Sequence, residues 1–201
     1  TACGIGVDSQ IYCWGRDDLG QLGDGSRGTA VVDKVVRATV GGERFKAVSV
    51  GGRPTFPTFS LLYGEPGKVA EVGSAHACAI SLSDRIFCWG SDSTGQLGDA
   101  RTIHSSTPIP LAELYQNISW SRVSAGGFHT CAITLAGDAY CWGLNNAGQL
   151  GTGGNNGLSQ VPVLVSGGLR FREISAGTLH TCGIAVDRSV YCWGDGDNGK
   201  L

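Results

Sequence analysis

Four copies of one cysteine-bearing phrase constrain this chain more than anything else in it. The fullest copy runs His129-Thr-Cys131-Ala-Ile-Thr-Leu-Ala-Gly-Asp-Ala-Tyr-Cys141-Trp142-Gly, then Leu-Asn-Asn-Ala-Gly-Gln149-Leu-Gly151. The phrase recurs from Cys3, from Cys78 and from Cys182. The eight cysteines fall as Cys3/Cys13, Cys78/Cys88, Cys131/Cys141 and Cys182/Cys192, with nine residues inside every pair. The tryptophans that follow, Trp14, Trp89, Trp142 and Trp193, step by 75, 53 and 51 residues. Self-similarity at a period just over 50 is the mark of a repeat architecture, with extra sequence in the first step.

Each copy reads as short strands joined by turns. If Cys131 lies opposite Cys141, then 132 faces 140 and 133 faces 139, leaving Leu135-Ala136-Gly137 as a three-residue hairpin loop. Such a loop wants a left-handed residue in third place, which Gly137 supplies. Ser9, Asp84 and Arg188 hold that place in the other copies; Asp tolerates it, Ser and Arg less well. Opposed residues on antiparallel strands lie about 4.5–5.5 Å apart at Cα, within disulfide reach. A polar turn and Gln-Leu-Gly follow each Trp-Gly. Short strands are expected at Val31–Ala38, Ile109–Leu114 and Val161–Val165, and further strands at Arg44–Ser49, Ser119–Ser124 and Arg170–Ser175, with Ile118–Val123 read as an outer strand region. Leu111 to Gln116 could make one helical turn. Four short strands per unit of about 50 residues point to an all-β propeller of four-stranded blades.

The approximate copies are 1–48, 69–122, 123–174 and 175–201, forming one repeat domain over 1–201. The irregular stretch 49–68 is an insertion or an eroded blade. Its core, Arg53 to Lys68, carries two Phe, one Tyr and two Leu, which suit an extra packed strand or an exposed patch for a partner. The chain contains no Met and breaks off within a copy at Leu201, so it reads as part of a longer protein.

Net charge is −2 and 16% of residues are charged, which argues against a nucleic-acid or anionic-membrane surface. No apolar run approaches the ~20 residues of a membrane span, so no direct membrane insertion is expected.

The combination His-x-Cys-Ala-Ile, Tyr-Cys-Trp-Gly, Asn/Asp-x-x-Gly-Gln-Leu-Gly and a preceding Val-Ser-Ala-Gly resembles the regulator of chromosome condensation repeat. The match covers nearly everything except about residues 53–68. The resemblance implies a β-propeller, usually of seven blades, of which about four are present here. The rest of the ring would come from further blades or another chain. The doubled cysteines resemble the extracellular branch of that family, including crinkly-type receptor ectodomains and secreted repeat proteins.

Eight cysteines in register read as a disulfide framework in an oxidising compartment. The alternatives are free buried thiols, or a zinc site built from His129, Cys131 and Cys141. His76, His129 and His180 recur once per copy, whereas a catalytic group is needed once, so a structural hydrogen bond to a neighbouring strand or blade is expected. His104 sits in a variable loop and carries no separate signal. The four register tryptophans read as blade-to-blade packing, with Trp120 only partly covered. Asn117-Ile-Ser119 is a glycosylation sequon. Gly-x-Gly runs lack a strand–loop–helix context and read as turns.

The expected function is therefore a disulfide-stapled, non-catalytic interaction or structural module, extracellular or at a cell surface, with no cofactor. It would bind a protein or glycan partner through its variable loops, Asp24–Thr29, Asp99–Thr107 and Thr152–Gln160. Two rivals stand beside it: a guanine-nucleotide exchange factor for a small GTPase, implied by the resemblance alone, and a propeller enzyme acting on glycans or as a lyase.

Overall fold

The computed structural model describes residues 1–38, 40–52, 75–197, 199 and 201. The irregular segment Arg53–Lys68 lies outside the described residues. Among the described residues fourteen strands form four antiparallel sheets, taken here as blades A to D. Blade A contains β1 (Ala2–Ile5), β2 (Ile11–Asp17) and β3 (Gly28–Arg37). Blade B contains β4 (Phe45–Gly51), β5 (His76–Ser81), β6 (Ile86–Gly90) and β7 (Ser105–Pro110). Blade C contains β8 (Trp120–Ala125), β9 (His129–Thr134), β10 (Ala139–Leu144) and β11 (Leu158–Leu164). Blade D contains β12 (Phe171–Ala176), β13 (His180–Ala185) and β14 (Val190–Gly194). In B and C, neighbouring strands follow chain order from the inner to the outer edge.

The register is the one that the cysteine spacing requires. Cys3 pairs with Cys13, Cys78 with Cys88, Cys131 with Cys141 and Cys182 with Cys192, each directly across a hairpin. All four loops place their third residue at positive φ: Ser9 at 60°, Asp84 at 61°, Gly137 at 91° and Arg188 at 74°. Ser9 and Arg188 take this conformation despite the steric cost to a side chain. For Ser9 a reason lies in the next blade. The carbonyls of Ser9, Asp84 and Gly137 accept hydrogen bonds from the backbone N–H of Phe45, Trp120 and Phe171, at 2.8, 2.9 and 2.8 Å. Within each blade the hairpin N–H groups of Leu82, Leu135 and Val186 donate to the carbonyls of Arg44, Ser119 and Arg170, just before the inner strand of the same sheet. The first set of bonds forms a belt from blade to blade along this hairpin face, and the second ties each hairpin to its own inner strand.

Several boundaries differ from the sequence reading. The copy boundaries are out of phase with the sheets. Phe45–Gly51, which the sequence reading divides between the first copy and the irregular stretch 49–68, pairs with β5 and is the innermost strand of blade B. Sheet membership follows from hydrogen bonding, which a repeat period cannot phase. The expected strand Ile109–Leu114 lies earlier, as β7, because the chain after Pro110 bends into a 3-10 turn at Glu113–Tyr115. Pro108 and Pro162 are tolerated because β7 and β11 are edge strands, where a missing N–H faces outward.

Three buried clusters lie between successive blades rather than inside any one sheet. Trp89, Leu22 and Phe45 join A to B, Trp142, Leu97 and Trp120 join B to C, and Leu150, Ala139 and Phe171 join C to D. Trp120 is fully buried, not partly covered. It occupies the place of Phe45 and Phe171, opening the inner strand and meeting an aromatic of its own blade edge-on. The pairs are Phe45–Phe87, Trp120–Tyr140 and Phe171–Tyr191. Its position eleven residues before Cys131 repeats that of Phe171 before Cys182, a signal present in the sequence.

Candidate functional site

The repeated polar residues build the junctions between blades. In each Asp/Asn-x-x-Gly-Gln-Leu-Gly turn, the first side chain accepts from the backbone N–H of the Leu. Asp17 serves Leu22, Asp92 serves Leu97 and Asn145 serves Leu150, at 3.0, 2.9 and 3.0 Å. The Gln side chain accepts a second N–H of the same turn, from Leu19, Thr94 or Ala147. The turn held this way aims the Gln carbonyl at the next blade. The carbonyls of Gln21, Gln96 and Gln149 accept the indole N–H of Trp89, Trp142 and Trp193, at 3.0, 2.9 and 2.9 Å.

Between B and C, and between C and D, a second chain of bonds joins the same carbonyl. The Thr130 hydroxyl donates to the Gln96 carbonyl at 2.8 Å, and its oxygen lies 2.8 Å from His76 Nε2. The Thr181 hydroxyl likewise donates to Gln149, with its oxygen 2.8 Å from His129 Nε2. A hydroxyl has one proton, and here the carbonyl receives it, so each ring nitrogen must be the donor. Both rings thereby carry a proton on Nε2. Burial pushes His129 down to about 3, helped by the neighbouring His76 and His180, which agrees with a ring that stays uncharged. Between A and B this chain is missing, because Thr1 stands where His would be and Ala77 where Thr would be. His180 is half-buried on the outer side of blade D.

The glycine that closes each turn makes room for the incoming indole. A Cβ on Gly23, Gly98 or Gly151 would lie 2.8, 2.7 or 2.7 Å from Nε1 of Trp89, Trp142 or Trp193. Trp89 and Trp142 are completely buried between blades, and Trp193 is half-buried. Trp14 differs: it is 42% exposed. Its place in the repeat calls for a Gln carbonyl from a blade before A, and no such blade is among the described residues.

All eight cysteines are joined in four bridges, each with Cα atoms 4.1 Å apart. The bridges of B and C are wholly buried, whereas Cys3, Cys182 and Cys192 are half-buried. Among the described residues no group of three or more His, Cys, Asp or Glu could hold a metal.

A cavity of about 560 Å³ opens where the inner strands converge, lined by Gly51, Gly126 and Gly177, by Gln21, and by Arg16 as its charged side chain. Its wall is mostly backbone, and the packing explains why. A Cβ on Gly51 would fall 2.1 Å from the Gly126 carbonyl, and one on Gly126 would fall 2.4 Å from that of Gly177. Ser49 and Ser124 fasten the same contact by accepting the N–H of Ala125 and Ala176. No carboxylate or imidazole lines this cavity among the described residues.

The carboxyls with raised affinity for protons sit in the turns. Asp92 is pushed up to about 7, first by burial and then by Asp99, although it accepts the N–H of Leu97 and Ile103. His104 stands beside it, its Nδ1 accepting the Asp92 N–H at 2.8 Å, while its carbonyl accepts from Arg27 of blade A. The loops after Gln-Leu-Gly are thus partly used as clasps: Gly25 donates to Ser106 and Ala100 donates to Gln160, each on the next blade's outer strand. Their tips, such as Gly153–Leu158, stay exposed.

Two profiles of the regulator of chromosome condensation (RCC1) repeat match the sequence. One matches residues 83–133 and 136–184, the other 68–96, 120–149 and 171–200. The chain belongs to the regulator of chromosome condensation repeat family. It is 31% identical over 195 residues to the Ultraviolet-B receptor UVR8 of Arabidopsis thaliana, covering 96% of this chain and 39% of that protein. Its fold is similar to that of human WBSCR16, with a TM-score of 0.76 at 17% identity over 96% of this chain and 44% of that one. It is similar also to the ectodomain of the Physcomitrella patens receptor kinase CR4, with a TM-score of 0.54 at 22% identity over 96% and 38%. The chain therefore spans less than half the length of each. Blades A to D are blades of an RCC1-type β-propeller, and the repeated His, Trp, Gln and Gly positions are the junctions between them.

Proposed function

We propose that this chain is part of a disulfide-stapled propeller that binds a protein partner, without catalysis, in an extracellular or other oxidising compartment. One observation carries the reading: all eight cysteines are paired, each directly across its own hairpin. Reducing compartments do not sustain such bonds, and a bridge closing so short a loop is worth about 3 kcal/mol in the chain-entropy account. The recurring polar residues are consumed in holding blades together, so recognition falls to positions where the copies differ. These are the tips of the loops after Gln-Leu-Gly, which stand clear of the hairpin belt.

The test is thiol mapping of the full-length protein from its native compartment, by alkylation without reduction followed by peptide mass analysis. Unalkylated, cross-linked peptides are expected for all four pairs. Alkylated Cys78, Cys88, Cys131 and Cys141 would refute the compartment and return attention to intracellular activities such as nucleotide exchange.

A further inference from the structure

We propose that Asn117 is a site of N-linked glycosylation; the inference rests on the oxidising, secretory reading above. Asn117-Ile118-Ser119 has the required hydroxyl two residues on and no proline between. The structure places this triplet in the connection between blades B and C. The passages from outer to inner strand between A and B, and between C and D, turn on Gly41-Gly42 and Gly167-Gly168. The passage between B and C instead runs through the 3-10 turn Glu113–Tyr115, and the sequon follows that turn directly.

Asn117 and Ser119 are both exposed, and the Asn117 amide makes no hydrogen bond to any described residue. The backbone around them is fixed. Ile118 donates to Tyr115, Ser119 accepts from Leu135, and Trp120 donates to Asp84. A glycan can therefore leave this turn without disturbing a contact. It would also cover apolar surface, since Leu114 is 87% exposed and Leu135 is 63% exposed.

The reaction joins the Asn117 side-chain nitrogen to C1 of the first sugar of a lipid-pyrophosphate-linked oligosaccharide. The bond from C1 to the pyrophosphate oxygen breaks, the lipid pyrophosphate leaves, and the amide gives up one proton. The consequence is a division of faces. Asn117 lies close to the hairpin tips, since Ser119 and Trp120, two and three residues on, bond to Leu135 and Asp84 of those hairpins. The loops after Gln-Leu-Gly lie at the opposite ends of the strands, so a glycan here leaves them free for a partner.

The experiment is secretion of the full-length chain from animal cells, with treatment by peptide N-glycosidase and mass mapping of the peptide holding residue 117. The expected result is a glycosidase-sensitive mass increment with conversion of Asn117 to Asp. Asn117→Gln and Ser119→Ala should each lose the increment, and Ser119→Thr should keep it. Secreted, disulfide-bonded protein with unmodified Asn117 overturns the site and leaves the compartment reading standing. Protein retained in the cell with free thiols overturns both.

Discussion

Replacing Thr181 by Val tests the blade-to-blade relay most directly. The two side chains have nearly the same shape, and Thr181 is fully buried, so the substitution removes a hydroxyl without opening a cavity. Two bonds go with it. Gln149 loses the hydroxyl donor at 2.9 Å but keeps the Trp193 indole N–H. His129 loses the acceptor of its Nε2–H, and its Nδ1 has no partner among the described residues to begin with. A buried donor left unpaired costs about 1–3 kcal/mol, and an ordinary lost hydrogen bond about 1 kcal/mol. The expected destabilisation is therefore about 2–4 kcal/mol. In a domain of this size that is a fall in melting temperature of roughly 5–12 °C. Urea denaturation should show a lower midpoint with an unchanged slope. The decisive measurement is a double-mutant cycle with His129→Leu, in which a coupling of about 1–2 kcal/mol is expected between the two sites. A Thr181→Val protein within about 0.5 kcal/mol of wild type, or a cycle additive within that margin, would refute the relay.

The same ring predicts a pH dependence. His129 has a folded value near 3, below its unfolded value near 6.5, so its contribution is complete above pH 6.5. It is lost at about 1.4 kcal/mol per pH unit as pH falls toward 3. Asp92 works the other way: raised to about 7, it stabilises below its unfolded value near 4 and loses that as pH rises through 7. Comparing wild type with His129→Gln cancels the Asp92 part, and the gap between their urea midpoints should narrow steadily below pH 6.5. Gly98→Ala should cost about 2–4 kcal/mol, from a φ of +73° and a Cβ at 2.7 Å from Trp142 Nε1, measured by urea denaturation. Gly157→Ala, at φ +59° with nothing near its Cβ, should cost only about 1–2 kcal/mol. Trp120→Phe should be the mildest of the tryptophan truncations. The indole N–H of Trp120 is buried without a partner among the described residues and its counterparts are Phe45 and Phe171, whereas Trp142→Phe strips the Gln96 carbonyl of a donor. Graded reduction with timed alkylation should open Cys3–Cys13 and Cys182–Cys192 before the fully buried bridges Cys78–Cys88 and Cys131–Cys141.

Much of this protein was legible in one dimension. The nine-residue cysteine spacing and the turn behind it specify a hairpin with one register, because antiparallel pairing and the reach of a disulfide leave no other that places the cysteines face to face. Four copies at a near-constant period then specify blades. The phase of those blades was not legible, since a period has no origin: only pairing to β5 shows that Phe45–Gly51 belongs with the cysteines that follow it. Nor was the content of the junctions. Thr130 and Thr181 read as ordinary strand residues, and their partners His76 and His129 lie more than fifty positions away. The left-handed Ser9 and Arg188 look unfavourable alone. The carbonyl of Ser9 shows what the conformation offers in return, a bond to the neighbouring blade at Phe45. Local chemistry determined each hairpin, because its contacts are close in sequence. Tertiary structure alone decided how one blade grips the next, because those contacts form only when copies about fifty residues apart are brought face to face.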